Sequence, residues 1–174
     1  MVPHAFDRFA GTTHFGVGDF EIGVRYRLID EDPQGWMPAV SFFPLVAFPT
    51  GDASKNLGTG STHAFLPIYL AKSIDQWVLF GGGGYWINPG PMNKDWGFVV
   101  AGVIRVLSDD VSLTFDTYHA TSSKVGIKSQ TGFDVGIRYN ITENHHVGLS
   151  VGRGITNARE TNQFTSLLSY VLTF

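Results

Sequence analysis

Few residues in this 174-residue chain have the types and spacing that chemistry needs. Asp116 and His119 are the one close pair of acid and base on a single extended stretch. An odd separation puts them on opposite faces of a strand, so they form no acid–base dyad without a bulge. His145 and His146 follow Glu143 in a turn, where the simplest reading is solvated side chains. The four glycines Gly81 to Gly84 lack the strand-to-helix context and the Lys-Ser/Thr pair of a phosphate loop. Close backbone approach or a bulge is expected there instead. The stretch DASKNLG offers oxygens at Asp52, Ser54 and Asn56, as a calcium loop does, but without the glycine and distant glutamate an EF-hand requires. The chain has no cysteine, which removes disulfides and thiolate chemistry. No enzyme, metal or cofactor is expected on these grounds.

The charges that remain informative are those that alternate with apolar residues. Asp19, Glu21, Arg25 and Arg27 share one parity in the stretch Asp19 to Ile29, while Phe20, Ile22, Val24, Tyr26 and Leu28 share the other. Thr131 to Ile141 repeats the pattern, with Asp134 and Arg138 opposed to Phe133, Val135, Ile137, Tyr139 and Ile141. Arg105 and Asp116 are assigned to the same polar set. If the apolar parity faces lipid, these eight residues line a lumen. In strand direction Asp19, Glu21, Asp116 and Asp134 fall toward one end, and Arg25, Arg27, Arg105 and Arg138 toward the other. Layered charge of this kind would order permeating molecules or favour dipolar ones. The equally weighted alternative is that the same residues pair with one another and plug a narrow barrel.

Elements that would position these residues are strands throughout. After the first stretch come Trp36 to Phe48, weakened by Pro38 and Pro44, then His63 to Ala71, Gln76 to Ile87 and Trp96 to Leu107. Val111 to Ala120, Thr131 to Ile141, His146 to Thr156 and Asn162 to Phe174 complete nine segments. In Trp96 to Leu107, Phe98, Val100, Ile104 and Val106 share a face. No segment shows helical period, and none approaches the roughly 20 apolar residues of a membrane helix. The whole chain, 1–174, reads as one all-β domain, with 1–17 a loop or partial strand before the first clear one.

Composition and connection lengths point to a membrane. Charged residues are 16% of the chain, against roughly 25% in soluble domains, so apolar surface is spread along alternating strands. Net charge is −3, and no basic patch is present for nucleic acid. Connections between the third and fourth, fifth and sixth, and seventh and eighth segments are short, and the others from the second onward are longer. An antiparallel up-and-down transmembrane barrel has this parity, with turns in the periplasm and loops outside. Aromatic residues support two interfacial girdles: Phe20, Phe48, Tyr85 or Trp86, Trp96, Phe133 and Phe164 at outer strand ends, Tyr26, Trp36, Trp77, Tyr139, Tyr170 and Phe174 at inner ends.

The GVGD that opens the first strand (16–19), the PTGD (49–52) followed by LGTGST (57–62), and a final strand ending on Tyr170, Leu172 and Phe174 carry a resemblance. They resemble the bacterial outer-membrane family named for the meta-pathway of phenol degradation, related to the porin that exports functional-amyloid subunits. The similarity spans residues 16 to 174. It implies a channel of about twelve strands in the even-numbered range of bacterial barrels, transport as its role, and a C-terminal signal at Tyr170, Leu172 and Phe174 read by the barrel assembly machinery.

Nine strands and no secretory signal at Met1 to Ala10 lead us to expect N-terminal truncation. The barrel should then show a gap or an additional pairing by residues 4 to 15. The expected role is an outer-membrane channel for small, aromatic or apolar compounds, with lipid, assembly machinery and solute as partners. Alternatives are a porin-like secretion channel for an unfolded polypeptide and a soluble β-sandwich or lipocalin-like binding module. Ile22, Val135 and Leu168 beneath a second protein layer would overturn the membrane reading.

Overall fold

Alternating β-branched and aromatic residues, cut by Gly, Pro, Asp and Asn, keep this chain extended almost throughout. The structure, a computed structural model, describes residues 4–9, 12–55 and 57–173. Strands β1 (His4–Phe9) and β2 (Thr12–Val17) pair with each other as a separate antiparallel sheet. Among the described residues, 4 to 15 thus pair with their own neighbours and not with the main sheet, so of the two expectations it is the gap that the structure shows. β3 (Phe20–Gly23) and β4 (Tyr26–Ile29) form one interrupted strand, and β5 (Ala39–Phe42) and β6 (Leu45–Phe48) return beside them. Pro44 makes the second interruption, as a residue without an amide donor should. The first stays bonded across it, Val24 N donating to Pro44 O at 3.1 Å.

β7 (His63–Ile74), β8 (Trp77–Ile87), β9 (Trp96–Val106), β10 (Val111–Ala120), β11 (Gln130–Asn140), β12 (His145–Thr156) and β13 (Thr165–Leu172) follow as an antiparallel meander. Nine strands lie side by side in the order β13-β12-β11-β10-β9-β8-β7-β5-β4, curled into a half-barrel. The sheet is open: among the described residues β13 pairs only with β12, and β4 only with β5.

The connections separate by end. Residues 75–76, 107–110 and 141–144 make tight turns at one end, whereas 49–62, 88–95, 121–129 and 157–164 make long loops at the other. One departure is 30–38, long although it lies at the turn end. It is docked on β7: Ser73 N donates to Glu31 Oε1 at 2.6 Å, and Lys72 Nζ donates to Asp32 O at 2.6 Å. The Ser73 amide bond holds the Glu31 carboxyl below its usual range. β7 runs on to Ile74, past the expected end at Ala71, because Lys72, Ser73 and Ile74 stay paired with Leu79, Val78 and Trp77 of β8; the following turn shrinks to two residues, with Asp75 in the left-handed region (φ 52°).

Two faces result. One convex row, read across the ladder, is Trp77, Arg105, Leu113, Ile137, Leu149 and Leu168. A concave row is Ala71, Phe80, Gly102, Asp116, Asp134, Gly152 and Thr165. The convex side chains stand in the open, Ile22 at 53%, Val135 at 45% and Leu168 at 75% exposure. Buried apolar side chains are few among the described residues: Ala47, Leu57, Phe65, Ala120 and Pro67. A chain in water inverts this distribution. No second protein layer covers the convex face among the described residues.

The tetraglycine settles on one of its two expectations. β7–β8 register runs unbroken through Gly81 to Gly84, so there is no bulge. Close approach is the reason: a Cβ on Gly84 would stand 2.5 Å from Phe65 Cε2 and 2.7 Å from Pro67 Cα, and one on Gly82 would stand 2.5 Å from Tyr69 Cδ1.

Candidate functional site

The eight charged positions divide seven to one. Glu21, Arg25 and Arg27 lie on the concave face, Glu21 across from Ala47 and Arg27 across from Ser41. Arg25 lies over the Phe43 ring, 5.4 Å from its centroid. Asp116 stands directly across from Asp134. Arg138, nearer the turn end, shares their face and donates through Nε to Asn140 Oδ1 at 3.3 Å. Arg27 ion-pairs with Asp30 of the adjacent turn at 3.4 Å, not with another of the eight.

Arg105 is the correction. It pairs with Trp77 and Leu113 on the convex face, its guanidinium 4.8 Å from the Trp77 ring centroid. β9 is apolar on both parities, so alternation alone cannot assign its faces. The ladder puts Phe98, Val100, Ile104 and Val106 on the concave side and Arg105 among the apolar residues of the convex side. At the turn end its guanidinium lies over the Trp77 ring while its stem covers apolar surface.

Asp19 is concave too, but it does not stand free in a lumen. It is 8% exposed and accepts three hydrogen bonds: from Gly51 N (3.0 Å), Thr59 N (2.8 Å) and Thr59 Oγ1 (2.8 Å). Thr50 Oγ1 completes the knot, accepting from Phe20 N at 2.8 Å and donating to Gly18 O at 3.2 Å. The three short motifs noted in the sequence thus meet in space: GVGD supplies the carboxylate, PTGD and LGTGST the donors. Gly51 and Gly58 are required by the closeness, since a Cβ on either would enter Leu57 O or the Asp19 carboxylate. Burial pushes the Asp19 carboxyl up, but the Thr59 and Gly51 donors outweigh it and hold it below its usual value. Within the same loop Asp52 accepts from Ser54 Oγ at 2.6 Å and pairs with Lys55 at 2.9 Å, bringing its pKa down to about 2. Its oxygens cap the short 3-10 turn Ala53–Lys55. Asn56, the third oxygen of the calcium-type spacing, lies outside the described residues.

The loops on this knot help enclose a polar vestibule of about 680 Å³ at the long-loop end. Asp19, Glu21, Thr59 and His63 line one side, and Ser123, Lys124, Lys128 and Glu160 the other. Lys128 and Glu160 pair at 2.9 Å. Nearer the turn end, a hollow of about 400 Å³ runs over β10 to β13. Gly136, Gly148 and Ser150 leave room for it. Asp116 and Asp134 stand along it toward the loops, Arg138 and His146 toward the turns, and Leu167 and Val171 form an apolar wall.

Ring contacts on the concave face were not legible from spacing. Phe65 stacks on Trp86 with centroids 4.6 Å apart, and Trp86 on Trp96 at 5.6 Å, both within 13° of parallel. Phe98 continues to Tyr118 at 6.2 Å. Trp86 and Trp96 thus leave the proposed outer girdle, in which Tyr85 stands instead, 51% exposed on the convex side. Phe20 and Phe48 stack there at 6.4 Å. At the turn end Tyr26, Trp77, Tyr139 and Tyr170 are convex and exposed, but Trp36 sits in the 30–38 connection. Of the C-terminal signal, Tyr170 and Leu172 are on the convex side of β13; Phe174 lies outside the described residues.

The residues considered for catalysis come no closer than their spacing allowed. Asp116 is concave; His119 is convex and bonds Thr131 Oγ1 at 2.9 Å. His145 bonds the Tyr170 hydroxyl. His146 is buried rather than solvated, held through Nδ1 to Asn140 Oδ1 (2.8 Å) and through Nε2 to Thr173 Oγ1 (3.3 Å), so it fastens the last residues to β11.

Compared with known families, residues 4–171 match the one described as "Putative MetA-pathway of phenol degradation". Among curated proteins none matches.

Proposed function

The chain belongs to that phenol meta-pathway family, and from this premise we propose that it is an outer-membrane β-barrel channel for small apolar or aromatic solutes, without chemistry of its own. The observation that carries the reading is the convex face. Its side chains are apolar, 40% exposed or more at Ile22, Leu79, Leu113, Val135, Ile137, Leu149 and Leu168, and span nine strands. Such a surface needs hydrocarbon around it.

On this reading solute enters through the vestibule, passes the Asp116–Asp134 pair and leaves past Arg25, Arg27 and Arg138. The acidic and then basic layers would orient dipolar molecules in transit. The soluble binding module is disfavoured by the same exposed face. A polypeptide-secretion role has no observation of its own to support it.

Fractionation tests the reading. The protein should pellet with outer membranes, need detergent to dissolve, and migrate differently on gels with and without heating. A monodisperse species in plain buffer would refute it. Reconstituted protein that adds no conductance to a planar bilayer would refute the channel.

A further inference from the structure

Arg153 is a charged residue on the apolar side of its strand. In β12 it shares a parity with Leu149 and Val151, and it pairs across the ladder with Phe133 of β11. Arg105, at the turn end of the same face, lies over the Trp77 ring. Arg153, toward the loop end, has neither an acidic partner nor a ring beneath it among the described residues. The loop that follows brings a second guanidinium. Asn157, in the left-handed region (φ 55°), turns the chain back, its carbonyl accepting from Glu160 N at 2.9 Å and Thr161 N at 3.1 Å. Arg153 and Arg159 then line one hollow of about 390 Å³ at this rim, with Ile155 and Asn157 beside them. The acid in its lining, Glu160, already pairs with Lys128 at 2.9 Å. Arg159 has no acidic partner among the described residues either. Two guanidinium charges therefore stand unbalanced around one concavity, and Ile155 and Phe164 are exposed close by in sequence.

We propose that this rim hollow binds the phosphate of an anionic lipid in the leaflet on the loop side, with Arg153 and Arg159 as its ligands and the acyl chains lying along the apolar convex face. Guanidinium groups match phosphate oxygens in pairs and are weakly hydrated, so they suit a partly desolvated anion site. On the side of a barrel that meets lipid, the anion at that height is a headgroup. An arginine near the interface costs little by itself, and a phosphate between two of them removes their mutual repulsion. The inference rests on the membrane-barrel reading for the presence of a leaflet there, but it concerns the outside of the barrel and needs no solute in the lumen.

Native mass spectrometry of the full chain in neutral detergent micelles, titrated with diphosphoryl lipid A and with phosphatidylcholine, tests it by counting bound lipid. The phosphorylated glycolipid should bind more tightly than the zwitterionic lipid. Arg153→Gln and Arg159→Gln should each weaken it about fivefold, the strength of one basic side chain beside an anionic lipid, and together about 25-fold. Arg105→Gln, on the same face at the turn end, should leave it unchanged. Inorganic phosphate should not displace the lipid; displacement would make this a site for free phosphate and overturn the lipid assignment. Equal binding of the two lipids, a double variant that binds like the parent, or an equal loss from Arg105→Gln would also overturn it. If the protein conducts but shows no headgroup preference, the lipid site fails and the channel stands; if the preference depends on Arg153 and Arg159 and nothing conducts, the channel fails and the lipid site stands.

Discussion

Replacing Asp19 by alanine tests whether the three motifs form a structural knot. The carboxylate is 8% exposed and takes donors at 3.0, 2.8 and 2.8 Å. When it is removed, the Thr59 hydroxyl can turn its one proton to Ser61 O, 3.0 Å away, so it is not orphaned. The Gly51 and Thr59 amides lose their partner. Each stranded amide costs about 1–3 kcal/mol, and water entering at the loop end trims the total, so Asp19→Ala should cost about 2–4 kcal/mol. With a urea slope of about 2 kcal/mol per molar, the unfolding midpoint in micelles should fall by about 1–2 M. Asp19→Asn keeps the shape and one acceptor oxygen and should fall between. Thr59→Val should cost about 1 kcal/mol, an ordinary net hydrogen bond.

The acid dependence follows from the lowered carboxyl. Its contribution is whole above the unfolded value of 3.8 and is lost as pH falls through the folded one. Asp19→Ala should remove that portion of the pH dependence. Unfolding followed by tryptophan fluorescence and protease cutting within 49–62 read the same event. A midpoint unchanged from the parent, with 49–62 no more easily cut, would refute the knot.

Three further outcomes follow from the faces. Gly84→Ala should destabilise by about 1–3 kcal/mol, the usual cost of overpacking, while Gly81→Ala, whose nearest neighbour would be Val100 O at 3.3 Å, should unfold near the parent midpoint in the same urea titration. Replacing Arg25 and Arg138 together by glutamine should move the reversal potential of the reconstituted channel toward cations, and Arg105→Gln should leave it where it was; an equal shift from Arg105 would undo the face assignment. Ile137→Lys should cost about 2–4 kcal/mol at mid-bilayer and reduce the heat-modifiable fraction in membranes, whereas Ser150→Lys, on the concave face, should not.

What the sequence discloses depends on how strongly each strand differs between its two faces. β3, β4 and β11 alternate charge with apolar side chains, so Glu21, Arg27, Asp134 and Arg138 could be assigned by parity, and the ladder agrees with those assignments. β8 and β9 offer no such contrast. Four glycines carry no side-chain pattern, and β9 is apolar on both sides, so the phase of Trp86, Trp96 and Arg105 is set only by hydrogen-bond register with neighbours. Every misplaced residue in this stretch follows from that one ambiguity, and a shift of one residue reverses them together. The loop-holding role of Asp19 is illegible for another reason. Its donors lie 32 and 40 residues away, and nothing at its own position distinguishes a carboxylate that holds a loop from one that faces a solute. The separation also explains why the three motifs look unrelated as text: each is short because it supplies one part of a single contact. A glycine where a Cβ would strike a carboxylate, as at Gly58, marks such a contact better than any charge does.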